Sequence, residues 1–174
     1  MKHSSPLFGS LDYQPILDLE PALRINSEGA NTLYHPELKL SDNIQATEDL
    51  NEVMRDASII FIATPSIIFE QIMNRISKLI DNKTYVISCT KGILENPFRT
   101  MTDVIQSKIK NDVGVLSGPN LAKEIAQNKI AGTVIASNNE DLIKLVKDWL
   151  FRNTPSVKAP LRNVLHYEIG RAHV

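Results

Sequence analysis

Along the chain, short unbroken apolar runs alternate with longer stretches in which apolar residues recur every three or four positions. Residues 58–63 (S-I-I-F-I-A) and 85–89 (Y-V-I-S-C) are continuous and rich in β-branched side chains, and residues 113–116 and 133–136 are shorter runs of the same kind. Such runs suit strands buried on both faces. Between them, residues 66–80 place Ile68, Ile72, Ile76 and Leu79 on one face of a helix, with Glu70, Asn74 and Lys78 elsewhere. Pro65 ends the preceding strand, and Ser66 stands where a helix cap is needed. Asn96-Pro97 reads as an N-cap followed by proline at the first helical position, with the helix running to about Lys110. Residues 139–150 are again amphipathic, with Leu142, Leu145, Val146 and Leu150 on one stripe.

Strands that alternate with helices predict an α/β fold, a parallel sheet with helices on both faces and right-handed crossovers. In such sheets ligands bind outside the carboxyl ends of the strands. The two ends of the chain read differently. Residues 1–22 show no clear period and carry three prolines, and the pattern weakens again from Asn153 onward.

Three strand ends hold the candidate chemistry. The first closes with Ala63-Thr64-Pro65-Ser66, where proline fixes φ and forces a turn. The second closes with Thr90-Lys91-Gly92: a lysine at this edge meets an anion or polarises a carbonyl, and glycine lets backbone approach. The third closes with Ser117-Gly118-Pro119-Asn120 and leads into a helix through Leu121-Ala122-Lys123-Glu124. Backbone N–H groups at such a helix start hold phosphate or carboxylate. Plainer readings are an ordinary turn, a solvated lysine and a capped turn. A cation beside a cluster of N–H donors favours an anionic ligand between them.

Composition narrows the function classes. The chain has 174 residues, 43% hydrophobic and 22% charged, so it is long enough to bury a core. Nineteen basic residues against 20 acidic ones leave a net charge of -1, with no basic field for nucleic acid. The longest apolar run, residues 57–63, is too short to span a bilayer, so no membrane insertion is expected. The N-terminus has no apolar stretch of the secretory kind, and the expected location is cytoplasmic. Cys89 is the one cysteine and falls inside a predicted strand. It has no disulfide partner within the chain and is expected to be a small core residue. His3, His35, His166 and His173 lack metal-ligand spacing, so no metal site is expected. The G-x-G-x-x-G dinucleotide fingerprint is absent.

Taken together, these motifs resemble the bacterial NAD(P)-dependent glycerol-3-phosphate dehydrogenase family over about residues 25–151. Asn31-Thr32-Leu33-Tyr34-His35-Pro36 followed by Leu40-Ser41-Asp42-Asn43-Ile44-Gln45-Ala46-Thr47 is similar to the family's "N-x-x-Y-L-P … L-P-x-N-I-x-A-T", with His35 for Leu and Ser41 for Pro. Ala63-Thr64-Pro65-Ser66 is similar to "A-V-P-S". Val86-Ile87-Ser88-Cys89-Thr90-Lys91-Gly92-Ile93 resembles "V-I-S-x-T-K-G-I". Residues 116–124 resemble "L-S-G-P-[ST]-x-A-x-E", with Asn120 at the Ser/Thr position. The pairing of T-K-G-I with S-G-P-N-L-A-K-E argues against ketopantoate reductases and nucleotide-sugar dehydrogenases.

The resemblance implies a Rossmann-like domain and a small-molecule substrate. It implies interconversion of sn-glycerol 3-phosphate and dihydroxyacetone phosphate with NAD or NADP, which supplies a precursor of glycerophospholipids. It implies that Lys91 contacts both cofactor and substrate, that Gly118 and Asn120 line the substrate site, and that Ala122 touches the cofactor. Pro65 is implied beside the nicotinamide, and the full-length parent is implied to be a homodimer. The family's general acid/base lysine stands in a "G-A-x-K-N" motif that these 174 residues do not contain, so no catalytic residue is assigned.

The reading is therefore of a Rossmann-like sheet truncated at both ends. Residues 1–22 are expected to be an aberrant or disordered segment and residues 23–152 a partial NAD(P)-binding domain. Residues 153–174 are expected to hold the truncated start of a substrate domain and a foreign tail. Residues 168–174 (E-I-G-R-A-H-V) back-translate to GAG ATC GGA AGA GCA CAC GTC, which resembles a short-read sequencing adapter. Such a fragment is expected to be inactive alone. The alternative function is a non-catalytic module that binds a phosphorylated metabolite or a partner on the Lys91–Gly118 face.

Overall fold

The computed structural model describes residues 12–15, 19–32, 36, 38–119, 121, 124, 127, 129 and 132–153. The chain divides into two compact units, Met1–Ser58 and Ile59–Val174.

In the first unit, strand β1 (Asp12–Pro15) runs parallel to β2 (Ile44–Thr47), with Asp12 opposite Ile44. Strand β1 and the start of helix α1 (Leu19–Glu28) fall within residues 1–22, where the sequence shows no period. The Asn26 side chain of α1 serves β2 as a ladder partner would. It accepts from the Ala46 N–H at 2.8 Å and donates to the Ala46 carbonyl at 2.7 Å. Ile25 and Ala46 form a small buried core with Leu40 and Ile44 packed against it. Gly29, at φ 63, closes α1 in the left-handed conformation that glycine adopts without penalty. Helix α2 (Leu50–Met54) starts at Asp49, whose carboxylate accepts from the Asn51 N–H at 2.9 Å.

The second unit holds a four-stranded sheet in the order β3 (Ile59–Ile62), β4 (Tyr85–Ser88), β7 (Val113–Ser117), β8 (Val134–Ser137). The first three strands are parallel. Strand β8 is antiparallel to β7, a correction to the all-parallel sheet expected. Strand β8 lies at the sheet edge, where an otherwise parallel sheet accepts an antiparallel strand, and its burial alternates, with Val134 exposed and Ile135 and Ser137 buried. In β4, by contrast, Val86, Ile87 and Ser88 are all fully buried, so both faces are covered as the unbroken apolar run predicts.

Helix α3 (Ser66–Ile76) buries Phe69, Met73 and Ile76. The expected stripe is thus rotated: Ile68 and Ile72 are half-buried and Leu79 is exposed. Helix α5 (Glu140–Asn153) buries Leu142, Val146 and Leu150 against Ile87 and Ile135, with Leu145 half-buried. Asn139 caps it by accepting from the Leu142 N–H at 3.0 Å. The helix expected from Asn96-Pro97 to about Lys110 is replaced by a hairpin and a shorter helix. Strands β5 (Ile93–Glu95) and β6 (Phe98–Thr100) pair antiparallel across the cis Asn96-Pro97 turn. Helix α4 (Met101–Gln106) then starts at Thr100, where Thr100 and Asp103 form a reciprocal capping box. That box supplies the start signal that proline had been expected to give. The helix expected after Asn120 lies largely outside the described residues, as do residues 154–174 with their expected adapter-derived tail.

Candidate functional site

Because β3, β4 and β7 are parallel, the residues after Ile62, Ser88 and Ser117 emerge along one edge of the sheet. This edge gathers Pro65, Lys91 and Gly118. Lys91 is exposed, and its Nζ donates to the Gly118 carbonyl at 3.1 Å, bridging from the end of β4 to the end of β7. Pro65 is exposed and sits as the N-cap residue of α3 with no side-chain cap bond. Ser66 is therefore the first helical residue and not the cap the sequence suggests. Asn120 and Ala122 lie outside the described residues.

Three consecutive residues tie the edge together. The Thr90 hydroxyl accepts from the Thr64 N–H at 3.2 Å and lies 2.9 Å from the Thr64 carbonyl and 3.2 Å from that of Ile62. Lys91 reaches Gly118. Gly92, at φ 138, lies against α3 so closely that a Cβ there would stand 2.9 Å from Ser66 Cβ and Oγ. Gly118 is equally confined: at φ 153, a Cβ would stand 2.6 Å from the Gly132 carbonyl oxygen and 2.9 Å from Thr133 Cα. Thr133 also donates from Oγ1 to the Ser117 carbonyl at 3.2 Å.

The edge is thus a platform of close-set backbone with one lysine across it and glycines where a side chain would collide. The Thr64 Oγ1 beside it is buried and has no hydrogen-bond partner. The two glycines let these strand ends pack closely on Ser66 and on Gly132–Thr133, and the Lys91 ammonium lies exposed beside them. Cys89 contributes no nucleophile. It packs against the core, and burial pushes its thiol up to about 11, so it stays protonated at neutral pH. Among the described residues, no group of three or more His, Cys, Asp or Glu side chains could hold a metal ion. No described helix is long and apolar enough to cross a membrane.

Residues 13–143, which include this edge, match the family described as NAD-dependent glycerol-3-phosphate dehydrogenase N-terminus. The chain belongs to this family. Among curated relatives, the glycerol-3-phosphate dehydrogenase [NAD(P)+] of Alcanivorax borkumensis is 39% identical over 136 residues, 78% of this chain and 40% of that protein. The glycerol-3-phosphate dehydrogenase [NAD(P)+] of Acinetobacter baylyi is 42% identical over 126 residues, covering 72% of this chain and 35% of the relative. The crystal structure of glycerol-3-phosphate dehydrogenase from Coxiella burnetii superposes with a TM-score of 0.70 at 29% identity, over 74% of this chain and 40% of that one. The chain therefore spans about two fifths of the length of these glycerol-3-phosphate dehydrogenases. The family is one of NAD(P)-dependent oxidoreductases with a Rossmann-type N-terminal domain, as the α/β pattern and the strand-end motifs predict.

The sequence reading located the lysine and the two glycines but missed Thr90 and Thr64. A signal was present. Pro65 turns the chain into α3 directly after Thr64, so the backbone N–H and C=O of Thr64 stand at a strand end and need a side-chain partner.

Proposed function

We propose that this chain carries part of the NAD(P)-binding domain of an enzyme that interconverts sn-glycerol 3-phosphate and dihydroxyacetone phosphate. The parent enzyme is cytoplasmic, acts as a homodimer and supplies glycerophospholipid precursors. The observation that supports the reading best is the span of Lys91 from the end of β4 to the Gly118 carbonyl at 3.1 Å, on the edge where α/β sheets take ligands. Lys91 exchanges this carbonyl for the substrate phosphate and also touches the cofactor. Gly118 and Asn120 line the substrate site, Ala122 touches the cofactor, and Pro65 flanks the nicotinamide.

When bound, the nicotinamide gives or accepts a hydride at the substrate carbon. The protein's part here is to bind and orient: Lys91 anchors charge, and the glycine-lined backbone sets how closely the ring and substrate approach. The 174 residues contain neither G-x-G-x-x-G nor G-A-x-K-N, so pyrophosphate binding is incomplete and no general acid/base is supplied. The chain alone therefore turns over no substrate.

The test is titration of the purified chain with NADH, NADPH and dihydroxyacetone phosphate, paired with a turnover assay. Weak but saturable binding, reduced about tenfold to a hundredfold by Lys91→Met as a charge-assisted contact is lost, is expected. Binding unaffected by Lys91→Met overturns the assignment of Lys91. Rapid turnover by the isolated chain overturns its inactivity. Binding of partner protein without any of these ligands favours the non-catalytic module.

A further inference from the structure

We infer that Thr90 is a positioning residue, whose hydroxyl stands in for the missing ladder rung after β3 and sets the spacing between Pro65 and Lys91. The inference rests on the functional reading above, because its consequence is for ligand binding at that edge.

A threonine hydroxyl has one proton to give and lone pairs with which to accept. The Ile62 carbonyl is already served by the Cys89 N–H at 2.8 Å, the last rung between β3 and β4. The Thr90 proton is therefore directed to the nearer Thr64 carbonyl at 2.9 Å, while the oxygen accepts the Thr64 N–H at 3.2 Å. One hydroxyl thus satisfies both backbone groups of Thr64, the residue directly before Pro65. Pro65 follows directly and turns the chain into α3, so the strand ends there.

The neighbours of Thr90 make this bond consequential. Lys91 follows it directly in the chain, and Gly92 abuts Ser66. The hydroxyl of residue 90 and the close packing of residue 92 on Ser66 both join the turn carrying Pro65 to the segment carrying Lys91. Loss of the hydroxyl leaves the second contact as the hinge, and the Pro65 turn then swings relative to Lys91. A ligand that meets both residues binds more weakly, although Thr90 does not touch it.

The experiment compares the full chain with Thr90→Val, which keeps the shape and removes the hydroxyl, and Thr90→Ser, which keeps the hydroxyl. Two quantities are read: amide exchange of Thr64 by NMR and the dissociation constant for NADH. In Thr90→Val, Thr64 is expected to exchange about tenfold faster, and NADH to bind about fivefold to tenfold more weakly. Thr90→Ser is expected to match the parent chain in both. Should the valine variant unfold, Thr90→Ala carries the same comparison. Faster Thr64 exchange with unchanged NADH affinity overturns the inference and leaves the functional reading intact. So does a Thr90→Ser variant as impaired as Thr90→Val. A parent chain that binds no NADH removes the functional reading, and the positioning role falls with it.

Discussion

The two ends of the parallel strands β3, β4 and β7 are closed by different means. At the amino end, short polar side chains knit backbone to backbone. Asn111 donates to the carbonyls of Asp81 and Thr84 at 2.7 and 2.8 Å, and Ser137 donates to that of Val113 at 2.7 Å. Asn139 reaches the Asp112 carboxylate at 2.9 Å. At the carboxyl end the closure uses a lysine, a threonine and two glycines at positive φ, and leaves a buried hydroxyl on Thr64 without a partner. The first end satisfies its polar groups with groups that fit nothing else. The second keeps a charge at the surface and holds backbone in conformations open to glycine and strained for any other residue. Under the proposed reading, the first end holds strands together and the second meets the ligand.

The comparison breaks most visibly at Gly118. Gly118→Ala places a methyl group 2.6 Å from the Gly132 carbonyl oxygen at a φ that alanine resists. A loss of about 2–4 kcal/mol in thermal or denaturant unfolding is expected, together with loss of NADH binding. Near-native stability and binding would mean that the strand-end backbone is not held as described. At the other end, Asn111→Ala removes two hydrogen bonds to carbonyls and is expected to cost about 1–2 kcal/mol. Its NADH affinity should stay within about twofold of the parent's, and a larger change would erase the division of labour between the ends.

The smallest effect concerns the hairpin. Arg99 of β6 donates to both carboxylate oxygens of Glu70 on α3, at 3.1 and 2.8 Å, and Lys108 lies 3.5 Å away. The hydrogen bond from Arg99 comes first among the causes that hold the Glu70 carboxyl below its ordinary value. A carboxyl lowered in the folded state stabilises fully above its unfolded pKa, about 4.3, and that contribution is lost as pH falls through the folded value. The melting temperature of the parent chain should exceed that of Glu70→Gln slightly at neutral pH, and the gap should begin to narrow as pH falls below about 4.3. A gap that persists in acid would assign the effect to packing of the side chain.

Much of the fold was legible in the sequence where burial is one-dimensional. The unbroken run in β4 reports two covered faces, and Leu142, Val146 and Leu150 report the stripe of α5. Strand direction was not legible, because the residues of β8 carry no mark of which way the chain enters the sheet. The hairpin was missed because Asn96-Pro97 serves a turn as readily as a helix start, and the deciding Thr100–Asp103 box lies a few residues further on. At the site, charge and glycine were visible because their chemistry is local. The role of Thr90 was not, because it depends on a carbonyl 26 positions away in sequence.

Among these residues is a built-in optical reporter. The sequence holds one tryptophan, Trp149. Its ring lies 5.2 Å from that of Phe61, centroid to centroid, and so joins α5 to β3 across the core. Indole emission shifts with exposure of the ring to water, so the colour of this single fluorophore registers whether α5 has docked on β3. A folding experiment on the unlabelled chain thereby follows the closure of one interface, and its emission wavelength gives a direct measure of core integrity in every variant named above.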